Sequence, residues 1–304
     1  MADTAFGAGV SMTGEYNAAK KPPRPPAASG KAAPPAGPGQ GPPPGFRVIP
    51  GPNAESARIE AGGESKLVIE WETEAALEMA RGNNKHALQI YDLILFAFPQ
   101  YAKAWYNKAI ILHTGTREYE RALDAYDRAH KALPGNLDIL HNKAKLLSEL
   151  RRVPEAEAVY AQVLKADPKY VKSLEGYGAL LINTSRPAEA EPLLRRAESA
   201  YEKLGQDPYR SQQLLATAYT NMGRTKDAIK VLDAAIRRHP QDDSLWEAKG
   251  IAFSNMEKYK EAVQCLTQAL RLNRGNKFAF ETRQQVLEVC KQNKITFSPG
   301  ELAF

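Results

Sequence analysis

The sequence predicts an all-α fold: a solenoid of helix-turn-helix repeats behind a disordered Pro/Gly/Ala-rich arm. Three observations carry this prediction. A column of small residues returns about every 34 residues, a second column follows each member by 12 or 13, and composition changes abruptly near Ser65.

The arm comes first in the chain. From Ala18 to Pro52 it reads AAKKPPRPPAASGKAAPPAGPGQGPPPGFRVIPGP, with Lys20, Lys21, Arg24, Lys31 and Arg47 as its only charged residues. Such a stretch has too few apolar side chains to offset the entropy of ordering it, so residues 1–64 are expected to be a disordered basic arm. Two roles are open to it besides that of a spacer: a polyproline II ligand, through KPPRPP or GPPPGF, or a basic tether.

Beyond Ser65 the pattern is helical. The first small column is Ala75, Ala109, Ala144, Gly178, Ala216 and Gly250, and the second is Ala87, Ala122, Ala156, Ala190, Ala228 and Ala262. Short turns between them, such as Gly82-Asn83-Asn84 and Gly223-Arg224, divide each unit into two antiparallel helices. Where two helix axes cross closely a bulky side chain would push them apart, so these are packing residues.

Large residues fill the remaining seams. Trp71, Trp105, Leu140, Leu174 and Trp246 recur in the first helices, while Tyr91, Tyr126, Tyr160, Leu194, Leu232 and Leu266 recur in the second. Pro99, Pro134, Pro168 and Pro240 then stop four of the units, because proline lacks the amide proton a helix needs.

With its period near 34 residues, this set of columns resembles the tetratricopeptide repeat (TPR) family over about 210 of the 304 residues. The resemblance implies a right-handed α-solenoid. Six repeats fill residues 65–276, at 68–101, 102–136, 137–170, 171–208, 209–242 and 243–276, and 277–304 make a C-terminal capping helix and tail. Repeat four lacks the terminal proline and spans 38 residues between small-column members, which predicts a second helix about one turn longer, ended by Gly205 and Pro208. Glu78 replaces a seam Leu, Tyr or Phe in the first repeat, as a polar outer face would require, and Phe280 and Leu287 take seam positions in the capping helix. Ile295, Phe297, Leu302 and Phe304 are open to two readings, a tail that folds back on the solenoid, which is the expectation, and a short linear motif for a partner.

Function follows from the same resemblance. TPR first helices line a concave groove that holds a peptide or helix of a partner protein, which makes this chain a non-catalytic scaffold. Carried over by position, the groove takes Lys103, Tyr106, Asn107 and Ile110 from repeat two, and His141, Asn142 and Lys145 from repeat three. The later repeats add Lys172, Asn183, Arg210, Gln213, Thr217, Asn221, Ile251 and Asn255. Asn107 and Asn142 stand one repeat apart and offer both donors and acceptors to a peptide backbone. Asn183, Asn221 and Asn255 form a second row, readable either as ligand contacts or as left-handed residues ending their helices. The family's clamp for chaperone C-terminal tails needs Lys and Asn, then Asn, then Lys and Arg. Glu72, Ala76, Asn107, Asp138 and Asn142 stand there instead, which argues against a chaperone tail.

Other classes find less support. A net charge of +6 is small for this length, so nucleic acid is the lesser alternative, through a convex stripe of Arg195, Arg196, Arg237, Arg238, Arg271 and Arg274. The five histidines show no i, i+4 metal spacing, Cys265 and Cys290 form no C-x-x-C, and no phosphate-loop or nucleophile-elbow motif occurs. No enzyme activity, cofactor or metal is expected. With no run of about 18 apolar residues and no leader pattern, the chain reads as cytoplasmic, without a membrane span.

Overall fold

The computed structural model describes residues 45–297. It departs from expectation at once, because part of the segment read as disordered is a folded sheet. Strands β1 (Arg47–Ile49), β2 (Arg58–Ala61) and β3 (Glu64–Leu67) form an antiparallel sheet in the order β1-β2-β3, with Val48 opposite Ile59 and Glu60 opposite Ser65. The β2–β3 hairpin turns on Gly62 and Gly63, at φ 59° and 87°, as a two-residue loop with both residues left-handed requires.

The apolar surface this segment lacks is supplied by the first repeat. Ala57, Ile59 and Ala61 are buried in one cluster with Val68, Trp71, Ala75, Ala87 and Ile90. The Val68 amide donates to the Ala57 carbonyl at 2.9 Å, and the Trp71 indole to Ile59 at 3.4 Å. The arm reading therefore fails for residues 45–64; its remainder, 1–44, lies outside the described residues.

The sheet also changes the reading of Glu78. Sealing the first repeat from outside leaves no polar face for Glu78 to provide, and its side chain is buried. It accepts from Arg81 at 2.8 Å and Asn83 at 2.7 Å, with His86 at 3.4 Å, and so fastens the turn behind its own helix.

Six helical hairpins follow. The first helices are α1 (Val68–Ala80), α3 (Ala102–Ile110), α5 (Leu137–Glu149), α7 (Val171–Asn183), α9 (Tyr209–Asn221) and α11 (Asp243–Ser254). Their partners are α2 (Asn84–Ala97), α4 (Tyr119–Ala132), α6 (Val153–Ala166), α8 (Pro187–Lys203), α10 (Thr225–Arg238) and α12 (Tyr259–Leu272). A last helix, α13 (Lys277–Gln292), packs on α12 and α11. As expected, α8 is longer than the other second helices, 17 residues against 14.

The small columns do what sterics demand. All six alanines of the second column are fully buried, and a Cβ added to Gly178 or Gly250 would lie 2.7 Å from Leu194 or Leu266 across the hairpin.

Each first helix stops on a left-handed residue: Gly82, Arg117, Arg151, Ser185, Gly223 and Glu257. In five repeats the next amide donates to the carbonyl five residues back, as in Arg152 to Leu147 at 2.9 Å. Repeat two is the exception, since Glu118 reaches six residues back, to Leu112 at 2.8 Å. Its two small residues are 13 apart instead of 12, and the additional residue is wound into a π-helical turn, Ile111–Gly115, continuous with α3.

Between repeats one position pair recurs. A side chain in the second helix meets one in the next first helix: Asp92 with Lys108 at 2.5 Å, Asp127 with Lys143, Asp233 with Lys249 at 2.6 Å, and Thr267 with Arg283 at 2.9 Å. At the two joints around repeat four the pair is Ala161 with Tyr177 and Arg195 with Leu215. There Tyr177 stacks on Tyr160 at 5.7 Å, and Arg195 turns to the Tyr219 hydroxyl at 2.9 Å.

In α13 the buried residues are Ala279, Thr282, Arg283, Val286 and Cys290. Leu287 is half-buried as a seam residue, but Phe280 is 45% exposed, with no second helix after α13 among the described residues. Ile295 and Phe297 pack on the last core cluster as expected, while Leu302 and Phe304 lie outside the described residues.

Candidate functional site

The first helices present one continuous polar face, and its residues divide into two sets. The first set ties neighbouring repeats together. Lys103 donates to Glu72 at 2.8 Å, Asn142 to the Tyr106 hydroxyl at 2.7 Å, and Lys172 to Asp138 at 2.6 Å. The Ser211 hydroxyl donates to Glu175 at 2.7 Å with Arg210 at 3.5 Å, and Gln213 reaches Ser244 at 3.3 Å. At the far end Asn276 donates to Glu247 at 2.7 Å.

Burial and hydrogen bonding together set the protonation of this set. His141 stands 3.1 Å from the Ser173 hydroxyl, and burial, aided by Lys172, pushes its imidazole down to about 4, so it is neutral at pH 7. Burial raises the Glu175 carboxyl against the lowering effects of Ser211 and Arg210. The bonds from Lys172 and Tyr170 hold Asp138 below the usual carboxylate range.

The second set makes no bond between repeats, although Thr217 donates to the Gln213 carbonyl at 3.0 Å and Lys145 lies 4.0 Å from Glu149, both within their own helices. Lys145, Thr217, Asn183, Asn221 and Asn255 are exposed, and Ile110 and Ile251 are partly exposed beside them. The left-handed reading of the three asparagines is overturned: Asn183 and Asn221 are the last residues of α7 and α9, Asn255 is a right-handed cap at φ −66°, and the left-handed residues are Ser185, Gly223 and Glu257 beyond them. Their amides are spent on no bond among the described residues. Asn107 and Asn142 are both half-buried, so the ladder of amides facing outward is the later row.

Several members were missed from sequence. Gln212 is buried in the column that Trp71 and Trp246 define, donating to Glu198 at 3.0 Å and accepting from Arg238 at 3.2 Å. A polar residue in an apolar column was its visible signal. His113, buried in the π-helical turn 2.9 Å from Glu149, was signalled by the 13-residue spacing.

The convex basic stripe is partly consumed. Arg195 bonds Glu198 at 2.7 Å besides Tyr219, Arg196 donates to the Pro168 carbonyl at 2.5 Å, and Arg238 to Gln212. Among the described residues no group of three His, Cys, Asp or Glu is placed to hold a metal, and no helix is long and apolar enough to cross a membrane.

Stacked helical hairpins with one polar first-helix face define a helical repeat protein of the protein-binding class. The chain belongs to the tetratricopeptide repeat family: its models match residues 73–136, 115–176, 210–252 and 243–276. The unmatched gap falls on repeat four, the one with the long helix. A search of curated protein sequences finds no match.

Solved structures share the fold. YrrB, described as a TPR protein with an unusual peptide-binding site, superposes with a TM-score of 0.52 at 18% identity, covering 64% of this chain and 97% of YrrB. PilW, a type IV pilus biogenesis factor, gives 0.61 at 19% identity, covering 72% of this chain and 98% of PilW. The APC/C hetero-tetramer Cut9-Hcn1 gives 0.59 at 16%, covering 72% of this chain and 43% of that one. At such identities the likeness is one of fold. TPR proteins are generally non-catalytic scaffolds that bind other proteins.

Proposed function

We propose that this chain is a non-catalytic scaffold that holds an extended peptide of a partner protein along the first-helix groove. The observation that carries this is the row Asn183, Asn221 and Asn255: three exposed amides at one position of three successive repeats, free of intramolecular bonds among the described residues. A peptide backbone is a periodic array of donors and acceptors, and an asparagine supplies the complement of both. Ile110 and Ile251 add apolar contacts on the same face, and Lys145 a charge. YrrB's described peptide-binding site supports the reading.

Asn107 and Asn142 are poor probes of this, because removing Asn142 also removes the bond to Tyr106. The test instead pans a random peptide library against the full chain and measures the enriched peptides by fluorescence polarisation. Asn183→Ala with Asn221→Ala and Asn255→Ala is expected to raise Kd at least about tenfold, that is by about 1.4 kcal/mol, with helicity unchanged. Ile251→Asp is expected to do the same. Peptides that bind both variants as tightly as the unaltered protein would move the site elsewhere.

A further inference from the structure

We propose that the peptide held in the groove is acidic, and that its carboxylates lie over repeats three to five against Lys145, Lys172, Arg210 and the Tyr201 hydroxyl. The inference rests on the groove reading above and adds the charge of the occupant and its place.

The first support is which charges face outward. Each of the three cations stands beside an acid, but the acids are held more closely by other groups. Asp138 also accepts from Tyr170 at 2.6 Å, and its side chain is 44% exposed against 64% for Lys172. Glu175 is 7% exposed and takes the Ser211 hydroxyl at 2.7 Å, while Arg210, 3.5 Å away, is 68% exposed. Glu149 lies 2.9 Å from His113 but 4.0 Å from Lys145. The carboxylates serve the protein's own joints, and the cationic heads are left to solvent.

The second support is His141, whose ring registers the local potential. Burial is the main cause of its low titration, and Lys172, Lys145 and Arg210 then disfavour its proton further, against Asp138. Cations from three successive first helices thus act together on one ring in the middle of the groove. Repeat one has the opposite sign. There burial, Glu72 and Glu55 all push the Tyr101 phenol up, and Lys103 sits between both carboxylates at 2.8 and 3.7 Å. An acidic chain is repelled from that end and drawn to repeats three to five.

The third support is the departure in repeat four. The additional turn of α8 begins at Tyr201, where the other second helices have already ended. Burial raises this phenol, and the charges that act on it are Glu175, Arg210 and Lys172, which places it beside the first helices of repeats four and five. Its hydroxyl makes no hydrogen bond among the described residues, so its donor is unspent. A carboxylate accepts from phenol, ammonium and guanidinium alike, and such charge-assisted bonds are the stronger kind.

The test pans the same random peptide library against the full chain and follows the enriched peptides by fluorescence polarisation. Enrichment of Asp and Glu is expected. Lys145→Gln with Arg210→Gln, which spares the Lys172 bond to Asp138, is expected to raise the Kd of an enriched acidic peptide at least about tenfold. Replacing the peptide's own Asp and Glu by Asn and Gln is expected to do the same, and the two changes together to cost less than their product, since both remove one contact. The peptide change leaves the protein untouched, so a folding defect cannot imitate it. Peptides that Asn183→Ala with Asn221→Ala and Asn255→Ala weakens, but that show no acidic bias and bind the Gln variant normally, would overturn the acidic occupant and leave the groove reading standing. Acidic peptides weakened in the Gln variant but not in the asparagine variant would support the acidic contact and overturn the asparagine row. A library with no peptide that either variant weakens would overturn both.

Discussion

His141 shows how a single residue of the first-helix face couples the joint between repeats to pH. Its folded imidazole titrates near 4, below the free value of about 6.5. Between those values the unfolded chain binds a proton that the folded one refuses, so stability is complete above about pH 6.5 and falls as pH drops towards 4. Urea unfolding at about pH 7 and pH 5.5 should show a loss of at most about 1 kcal/mol from this group. In His141→Asn that part of the loss should vanish. An equal pH dependence in both proteins would mean that His141 is hydrated in the folded state.

At the scale of an element, the same stop closes the first helix in five of the six repeats, yet its residue varies. Gly82 and Gly223 fit the left-handed position without cost, whereas Arg151 and Glu257 carry a Cβ that conflicts with the following carbonyl. Arg151→Gly and Glu257→Gly are each expected to raise stability by up to about 1 kcal/mol, and Gly223→Ala to lower it by a similar amount, in chemical denaturation. A loss of stability in Arg151→Gly would show that its side chain makes contacts worth more than the strain.

The same stop explains what sequence could and could not reveal. Ala87, Ala122 and their successors were legible because a close helix crossing admits only small residues. The asparagine row was legible as a row but not in its conformation, because the bond back to the fifth carbonyl fixes the stop wherever it falls. Asn183 was the natural suspect, and Ser185 holds the position. The sheet escaped because strands of three or four residues are too short to show alternation, although Gly62-Gly63 was a hairpin signal inside the basic arm. The division of the face into tied and available residues depends on which side chains meet across repeats, as Ser211 and Glu175 do, and no single repeat contains that information.

For the whole molecule, the joints decide where the array is weakest. A repeat protein's stability is close to a sum of unit and interface terms, so unequal interfaces give unequal opening. Repeat four is flanked by the two joints that lack a polar pair at the recurring position, Ala161 with Tyr177 and Arg195 with Leu215. Surface pairs are individually worth little, so the difference is modest. Hydrogen exchange under mild denaturant should show residues 171–208 opening before repeats two and three. Simultaneous opening would show that the tyrosine stack at 5.7 Å and the Arg195–Tyr219 bond serve as well as the ion pairs.

The sheet over the first repeat has a consequence for the order in which the chain acquires structure. Synthesis delivers residues 45–101 before any later repeat exists, and in an ordinary array that first hairpin would wait, half-uncovered, for its neighbour. Here Ile59 and Ala61 are already present to close its outer side against Trp71 and Ile90. The hairpin therefore needs a partner on one side only, the side on which the next repeat is made.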